Sequence, residues 1–192
     1  MNMLRPALLL FILLTVITGG VYPLITTVVG NQLFPQKTQG SLIVQQGQVR
    51  GSQLIGQDFN QPGYFQGRPS ATAEHADNPM ASGGSNLSVS NPQLVQRIEQ
   101  QIALLHSQNP EASKRVPTEL ITTSASGLDP MLSVSAMAWQ IPRVARARKL
   151  PISEIEKIVD RFTIKPLLSF MGPTVVNVVS VNVALDHYSQ GK

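Results

Sequence analysis

Near its start the chain carries an almost unbroken apolar run. From Pro6 to Gly30 it reads PALLLFILLTVITGGVYPLITTVVG, and after Arg5 no charged residue appears until Lys37. A run of this length predicts a membrane-spanning helix, because about 20 helical residues cross a hydrocarbon core about 30 Å thick. Backbone groups inside a bilayer must bond to one another, which makes helix the default conformation. The rival reading is a cleavable signal peptide, but such peptides have a shorter apolar part and a small-residue cleavage site. Here the run continues through Tyr22 and Pro23 without an A-x-A pattern, which favours an uncleaved anchor. Gly19, Gly20 and Pro23 would weaken a helix in water. In a membrane they are tolerated where a neighbouring helix approaches closely, so they are the expected packing positions.

Beyond the anchor the pattern changes. SLIV (Ser41 to Val44) and QVRGSQLIG (Gln48 to Gly56) predict short strands joined by glycine turns. Glu74 to Pro92 is a polar, glycine-rich loop, read as a turn-rich surface segment. Asn91-Pro92 then opens a helix, as cap and first helical residue, whose stripe is Leu94, Ile98, Ile102 and Leu105; Asn109-Pro110 closes it. Leu120 to Thr123 reads as a short buried strand leading into the turn SASGLDP, Ser124 to Pro130. Ser133 is placed to cap a helix reaching about Arg148, which Pro142 should kink or shorten. Its Arg143, Arg146 and Arg148 predict a solvated face. A further helix, Pro151 to Phe162, shows Ser153 and Glu156 as a capping box and an apolar face of Ile155, Ile158, Val159 and Phe162. Thr174 to Leu185, TVVNVVSVNVAL, is rich in β-branched residues and reads as a long central strand launched by Gly172-Pro173. The predicted fold class is therefore an α/β (α+β) soluble domain attached to a single N-terminal transmembrane helix. Its parts are a tail over 1–6, an anchor over 7–30 and an extracytoplasmic α/β domain over 31–192.

Composition narrows the function classes. The chain of 192 residues leaves room for one domain of moderate size after the anchor. A net charge of +4 is mild and spread out, without the basic blocks and interleaved aromatics of a nucleic-acid site. There is no cysteine, so disulfides and thiolate chemistry are excluded. His75, His106 and His187 lie apart with no ligand spacing, which argues against a metal site. No G-x-S-x-G elbow occurs, and the glycines of Ala81 to Leu87 lack the lysine of a phosphate loop. Asp129, in GLDP, reads as turn chemistry. No catalytic residue is predicted. Arg5 and the α-amino group precede the span and only Lys37 follows closely, so positive charge places the amino terminus in the cytoplasm and the domain outside.

Taken together, LRPAL (Leu4 to Leu8), TGGVYPL (Thr18 to Leu24), QLFP (Gln32 to Pro35), GSQLIGQ (Gly51 to Gln57), YFQGRPSA (Tyr64 to Ala71), ASGGSNL (Ala81 to Leu87), TTSASGLDP (Thr122 to Pro130) and IPRVARAR (Ile141 to Arg148) resemble, in this order, the KdpC family. Its members are subunits of the Kdp potassium-transporting ATPase, and the resemblance covers nearly the whole chain. It implies a non-catalytic, single-pass subunit in a bacterial inner membrane. The implied partners are a channel-like potassium-binding subunit, a P-type ATPase subunit and a small membrane subunit. It also implies a catalytic-chaperone role that raises the ATP affinity of the hydrolysing subunit; the alternative is a purely structural or ion-entry subunit. No cofactor is expected on this chain alone, and ATP only together with the ATPase subunit. The implied nucleotide contacts are Gln140, Ser126, Gly127 and Asp129. Implied subunit contacts are Gly19, Gly20, Pro23, Arg68, Ser82, Gly83, Gly84, Ser85 and Asn86. Met131 stands where the family's GLDP is usually followed by histidine, and a methionine can neither donate to a phosphate nor take a proton. With the domain outside the cell, Ser82 to Asn86 and Ser126 to Asp129 read better as contact loops on the potassium-binding subunit than as nucleotide contacts.

Overall fold

The computed structural model describes residues 3–45 and 47–190. It forms two compact units that divide between Arg50 and Gly51. The first contains a continuous helix of 30 residues, Leu4–Leu33, none of it buried and long and apolar enough to cross a membrane. It comprises α1 (Leu4–Val16), a single wide turn over Ile17–Val21 and α2 (Tyr22–Leu33). In that turn the Tyr22 N–H donates to the Ile17 carbonyl, five residues back. Proline lacks an N–H and its ring collides with the carbonyl four residues earlier, that of Gly19 for Pro23; widening the turn relieves both problems and keeps the helix continuous. Three hydroxyls along this helix bond back to its own carbonyls, Thr15 donating to that of Phe11 (2.8 Å), Thr18 to that of Leu14 (2.7 Å) and Thr26 to that of Tyr22 (3.0 Å), an arrangement that suits hydrocarbon surroundings. A one-turn helix α3 (Pro35–Thr38) and a hairpin of β1 (Leu42–Gln45) and β2 (Gln48–Ser52) follow, as the glycine-punctuated pattern predicts.

In the second unit, helices pack around a small antiparallel sheet. Helix α4 (Pro92–Gln108) starts at Asn91, whose side chain accepts from the Gln93 N–H, and ends at Asn109, as predicted. Strand β3 (Met131–Ser133) leads directly into α5 (Val134–Arg148), capped by Ser133. Then come α6 (Ile152–Arg161), β4 (Thr163–Ile164), β5 (Val175–Asn177) and α7 (Val178–Gln190). The sheet order is β3-β5-β4, with Met131 opposite Asn177 and Thr163 opposite Val176. Phe65, Leu105, Leu132, Met137, Val144, Ile155, Val176 and Leu185 make one core.

Several expectations are corrected. The long C-terminal strand is in fact the three-residue central strand β5 followed by helix. Val178, Val181, Asn182 and Leu185 recur at helical spacing and are all buried, and the Asn177 carboxamide caps the helix by accepting from the Ser180 N–H at 2.9 Å. Burial of that stripe outweighs the β preference of its valines. Leu120 to Thr123 is not a strand: Thr118–Leu120 form a 3-10 turn that buries Leu120. Pro142 does not shorten α5, which ends at Lys149 in a left-handed conformation with the Leu150 N–H returning to the Ala145 carbonyl. Ser153 is not a cap; α6 begins after Pro151, and Ser153 lies within its first turn. Its predicted apolar face does hold, with Ile155, Ile158 and Val159 buried.

The arginines of α5 are not a solvated face either. Arg143 is buried and donates to the carbonyls of Pro62 (2.8 Å) and Tyr64 (3.0 Å) and to Gln140 Oε1 (2.8 Å). Burial lowers its pKa to about 10, so it stays protonated at neutral pH. Arg148 donates to the Gly63 carbonyl, pairs with Asp186 at 2.9 Å and lies over the Tyr64 ring. Only Arg146 is exposed, paired with Glu111. Between them these residues hold a strap, Pro62 to Gln66, which begins in a turn closed by the Tyr64 N–H on the Gln61 carbonyl, against α5 and α7. Two carboxamides pair with it as a neighbouring strand would. Asn182 accepts from the Phe65 N–H and donates to its carbonyl, both at 2.9 Å; Gln140 does the same for Gln66 at 2.9 and 3.0 Å. Replacing Asn182 with Leu strands both polar groups of a buried residue, so Asn182→Leu is expected to cost about 3 kcal/mol of stability, measurable by urea unfolding of the full chain in detergent.

Candidate functional site

The strap continues into Arg68, Ser70 and Thr72, and these organise two loops that sequence alone leaves separate. In the loop Ser124 to Pro130, three consecutive carbonyls each receive a donor from a different segment. The Ser126 carbonyl accepts from the Gly83 N–H (2.8 Å) and from Ser82 Oγ (3.0 Å). That of Gly127 accepts from Ser70 Oγ at 2.8 Å, and that of Leu128 from the Gly56 N–H at 2.8 Å. The loop also closes on itself, Ser124 Oγ accepting from the Gly127 N–H and Ser126 Oγ from the Leu128 N–H. Asp129 Oδ1 accepts from the Met131 N–H at 3.0 Å, the turn chemistry its place before proline suggests. Met131 thus begins β3 with its backbone committed to the turn.

Glycine is required at this contact. Gly127 has φ +69°, and a Cβ there would meet the Gly83 carbonyl oxygen at 2.6 Å and Thr72 Cγ2 at 2.8 Å. A Cβ on Gly84 would approach the carbonyl oxygens of Ser124 and Ala125, each at 3.2 Å. Glu74, Asp77 and Asn86 also adopt positive φ, so the long polar loop is the turn-rich surface segment expected, held in a demanding conformation. Hydroxyl and amide side chains hold it: Thr72 Oγ1 donates to the His75 carbonyl and accepts from the Asn78 N–H, while Asn78 bonds the Ala73 carbonyl and the Met80 N–H. Sequence reading did not single out Ser70, Thr72 or Asn78. The density of Ser, Thr and Asn after YFQGRP was the available signal, since such side chains close turns on their own backbone.

Arg68 lies at the junction. Its guanidinium donates to the Thr123 carbonyl at 3.0 Å and stands 3.7 Å from Asp129 Oδ2, while its Nε is buried without a partner. Alongside is an open cleft of about 500 Å³, lined by Arg68, Asp77, Ser85, Arg97 and Gln101 among others. The Asp77 carboxyl is pushed up to about 6, first by burial and then by the charge of Asp58, with His75 pulling the other way.

Of the expected site residues, Arg68, Ser82, Gly83, Gly84, Ser126, Gly127 and Asp129 come together here. Ser85 lines the cleft and Asn86 is exposed. Gln140 does not join them: it is fully buried, and both ends of its amide are committed to Gln66 and Arg143. Gly19, Gly20 and Pro23 lie in the helical unit, where among the described residues of that unit no atom beyond the adjoining helix backbone comes within 4 Å of a Cβ built on either glycine. Among the described residues no group of His, Asp or Glu could hold a metal ion.

This arrangement is a polar, loop-built surface on a chain that also carries a long apolar helix. A family model described as "KdpC: K+-transporting ATPase, c chain" matches residues 4–187. The chain belongs to the KdpC family. It is 57% identical over 186 residues to the potassium-transporting ATPase KdpC subunit of Klebsiella pneumoniae (strain 342), covering 97% of both chains. The same figures hold for the corresponding subunit of Enterobacter sp. (strain 638). With that of Escherichia coli (strain K12 / DH10B) it shares 55% identity, over 97% of this chain and 98% of the relative.

Two outcomes test this geometry. Gly127→Ala adds a Cβ at positive φ against a backbone oxygen; it is expected to cost about 3 kcal/mol, read by chemical denaturation, and to open Ser82 to Asn86 to proteolysis. Asp77 tests the pH dependence. Because its folded pKa is raised, it contributes stability that is complete below the ordinary value of 3.8 and is lost as pH rises through about 6. Asp77→Asn is therefore expected to raise the melting temperature at about pH 7 and to leave it nearly unchanged at about pH 3.

Proposed function

We propose that this chain serves a potassium-importing ATPase complex as its membrane-anchored, non-catalytic docking subunit. The span Leu4–Leu33 packs against partner helices through Gly19, Gly20 and the wide turn before Pro23. The domain lies outside the cell, in an inner membrane with the amino terminus in the cytoplasm. There the Ser82 to Asn86 and Ser126 to Asp129 loops contact the channel-like potassium-binding subunit, near where the ion enters. The P-type ATPase subunit and the small membrane subunit are reached through the span.

One observation carries this reading: seven of the expected contact residues converge on a single interlocked surface. A role in raising ATP affinity gains no support from Gln140. To touch a nucleotide it would have to abandon the buried Gln66 pairing and leave that backbone unpaired, at a cost of about 1–3 kcal/mol for each group. If the chain raises ATP affinity, the effect passes through the complex rather than through this amide.

The chain has no cysteine, so one cysteine reports topology cleanly. Met80 projects fully into solvent beside the loops. Met80→Cys is expected to react with a membrane-impermeant maleimide in intact spheroplasts; reaction only in inside-out vesicles would reverse the orientation. Met80→Glu with Val89→Glu, both at exposed positions, should leave the melting temperature unchanged and weaken recovery of the partner subunits by about tenfold, equivalent to about 1.4 kcal/mol.

A further inference from the structure

The connection from β4 to β5 has a composition that neither the fold nor the docking surface explains. Over Ile164 to Met171, IKPLLSFM, the apolar side chains face solvent: Leu167 is 89% exposed and Phe170 83%, with Ile164, Leu168 and Met171 also exposed. None belongs to the core. Isolated apolar residues on a surface need no explanation, but five within eight positions form a patch of the kind that marks an interaction site. Connections between strands are ordinarily polar.

We propose that this loop is a second membrane contact, dipping into the headgroup region of the bilayer that the span crosses. Three features select lipid as the occupant. The chain brings its own membrane, because the domain is tethered to a helix long and apolar enough to cross one. From Phe162 to Leu185 the only charged residue is Lys165, at the loop's edge, and exposed Arg161 precedes it. Cations beside an apolar tip suit anionic headgroups, and within Phe162 to Leu185 there is no carboxylate, the nearest in sequence being exposed Asp160 before Arg161. The loop is also shaped before contact. The Met171 N–H closes a 3-10 turn on the Leu168 carbonyl at 2.9 Å, and Pro166 and Pro173 restrict the chain on either side, so little further ordering is needed on insertion. Its backbone is not helical enough to enter the hydrocarbon core, so the contact is shallow and the peptide groups keep their water. The inference rests on retention of the span, and the test separates the two.

Full-length chains carrying a single cysteine at Leu167, Phe170, Gln96 or Leu13 would be spin-labelled in vesicles of phosphatidylethanolamine and phosphatidylglycerol. Their accessibility to oxygen and to a water-soluble nickel complex would then be compared. Gln96, on the exposed face of α4, gives the aqueous reference, and Leu13 the hydrocarbon one. The expected result is a several-fold higher oxygen-to-nickel ratio at Leu167 and Phe170 than at Gln96, below that at Leu13 and reduced by Lys165→Glu. An aqueous signal at Leu167 and Phe170 with Leu13 in hydrocarbon overturns this inference alone. An aqueous signal at Leu13 overturns the anchor and the inference together. Shielding of the loop that appears only when partner subunits are added assigns it to protein and also overturns the proposal.

Discussion

The domain depends on a short length of backbone, centred on the buried Phe65, that belongs to no sheet. Pro62 to Gln66 leads from an exposed proline to the buried Phe65; peptide groups shielded from water are expensive to leave unpaired, and five side chains from two helices take the place of a neighbouring strand. Asn182 and Gln140 each pair with both polar groups of one residue, Arg143 bridges two carbonyls and the Gln140 amide, and Arg148 with Asp186 closes the outer end around Tyr64. The strap in turn places Phe65 in the core. Because each amide supplies one donor and one acceptor at fixed spacing, it sets the strap's position along the helices as a ladder sets register. A charged guanidinium in this place carries no carboxylate partner of its own; the carbonyl dipoles around Arg143 replace its lost water.

From that strap the interlocked loops follow. Arg68, Ser70 and Thr72 lie just beyond it, and they hold the Ser124 to Pro130 turn and the Ser82 to Gly84 turn against each other. Close approach of two backbones leaves no room for side chains at Gly127 or Gly84. The resulting surface is polar, with its two turns tied together by backbone and hydroxyl hydrogen bonds. The buried position of Gln140 has the same cause: it supports the strap.

In the membrane segment the constraint is of another kind. A proline in a long helix ordinarily breaks the ladder. Here the i-to-i+5 turn over Ile17–Val21 absorbs it immediately before Pro23, leaving Gly19 and Gly20 with open flanks. That combination is a helix that remains continuous and has a thin face at its two glycines.

Short-range physics made much of this protein legible from its sequence: the span from its unbroken apolar run, the start of α4 from Asn91-Pro92, the Ser133 cap of α5, the buried face of α6 and the hairpin from its glycine punctuation. Each depends on neighbours within one or two turns. What failed depended on distant partners. The valines from Val178 onward became helix because their stripe meets the core, with Asn177 capping it. Arg143 and Arg148 left the solvent because a strap some eighty residues earlier in the chain offers carbonyls to them. The motifs ASGGSNL and SASGLDP were visible as loops, but nothing in either marks the other as its partner. Hydrogen bonds between backbones carry no side-chain signature, so only the tertiary structure could bring Gly83, Ser126 and Gly127 together and reserve Gln140 for the interior.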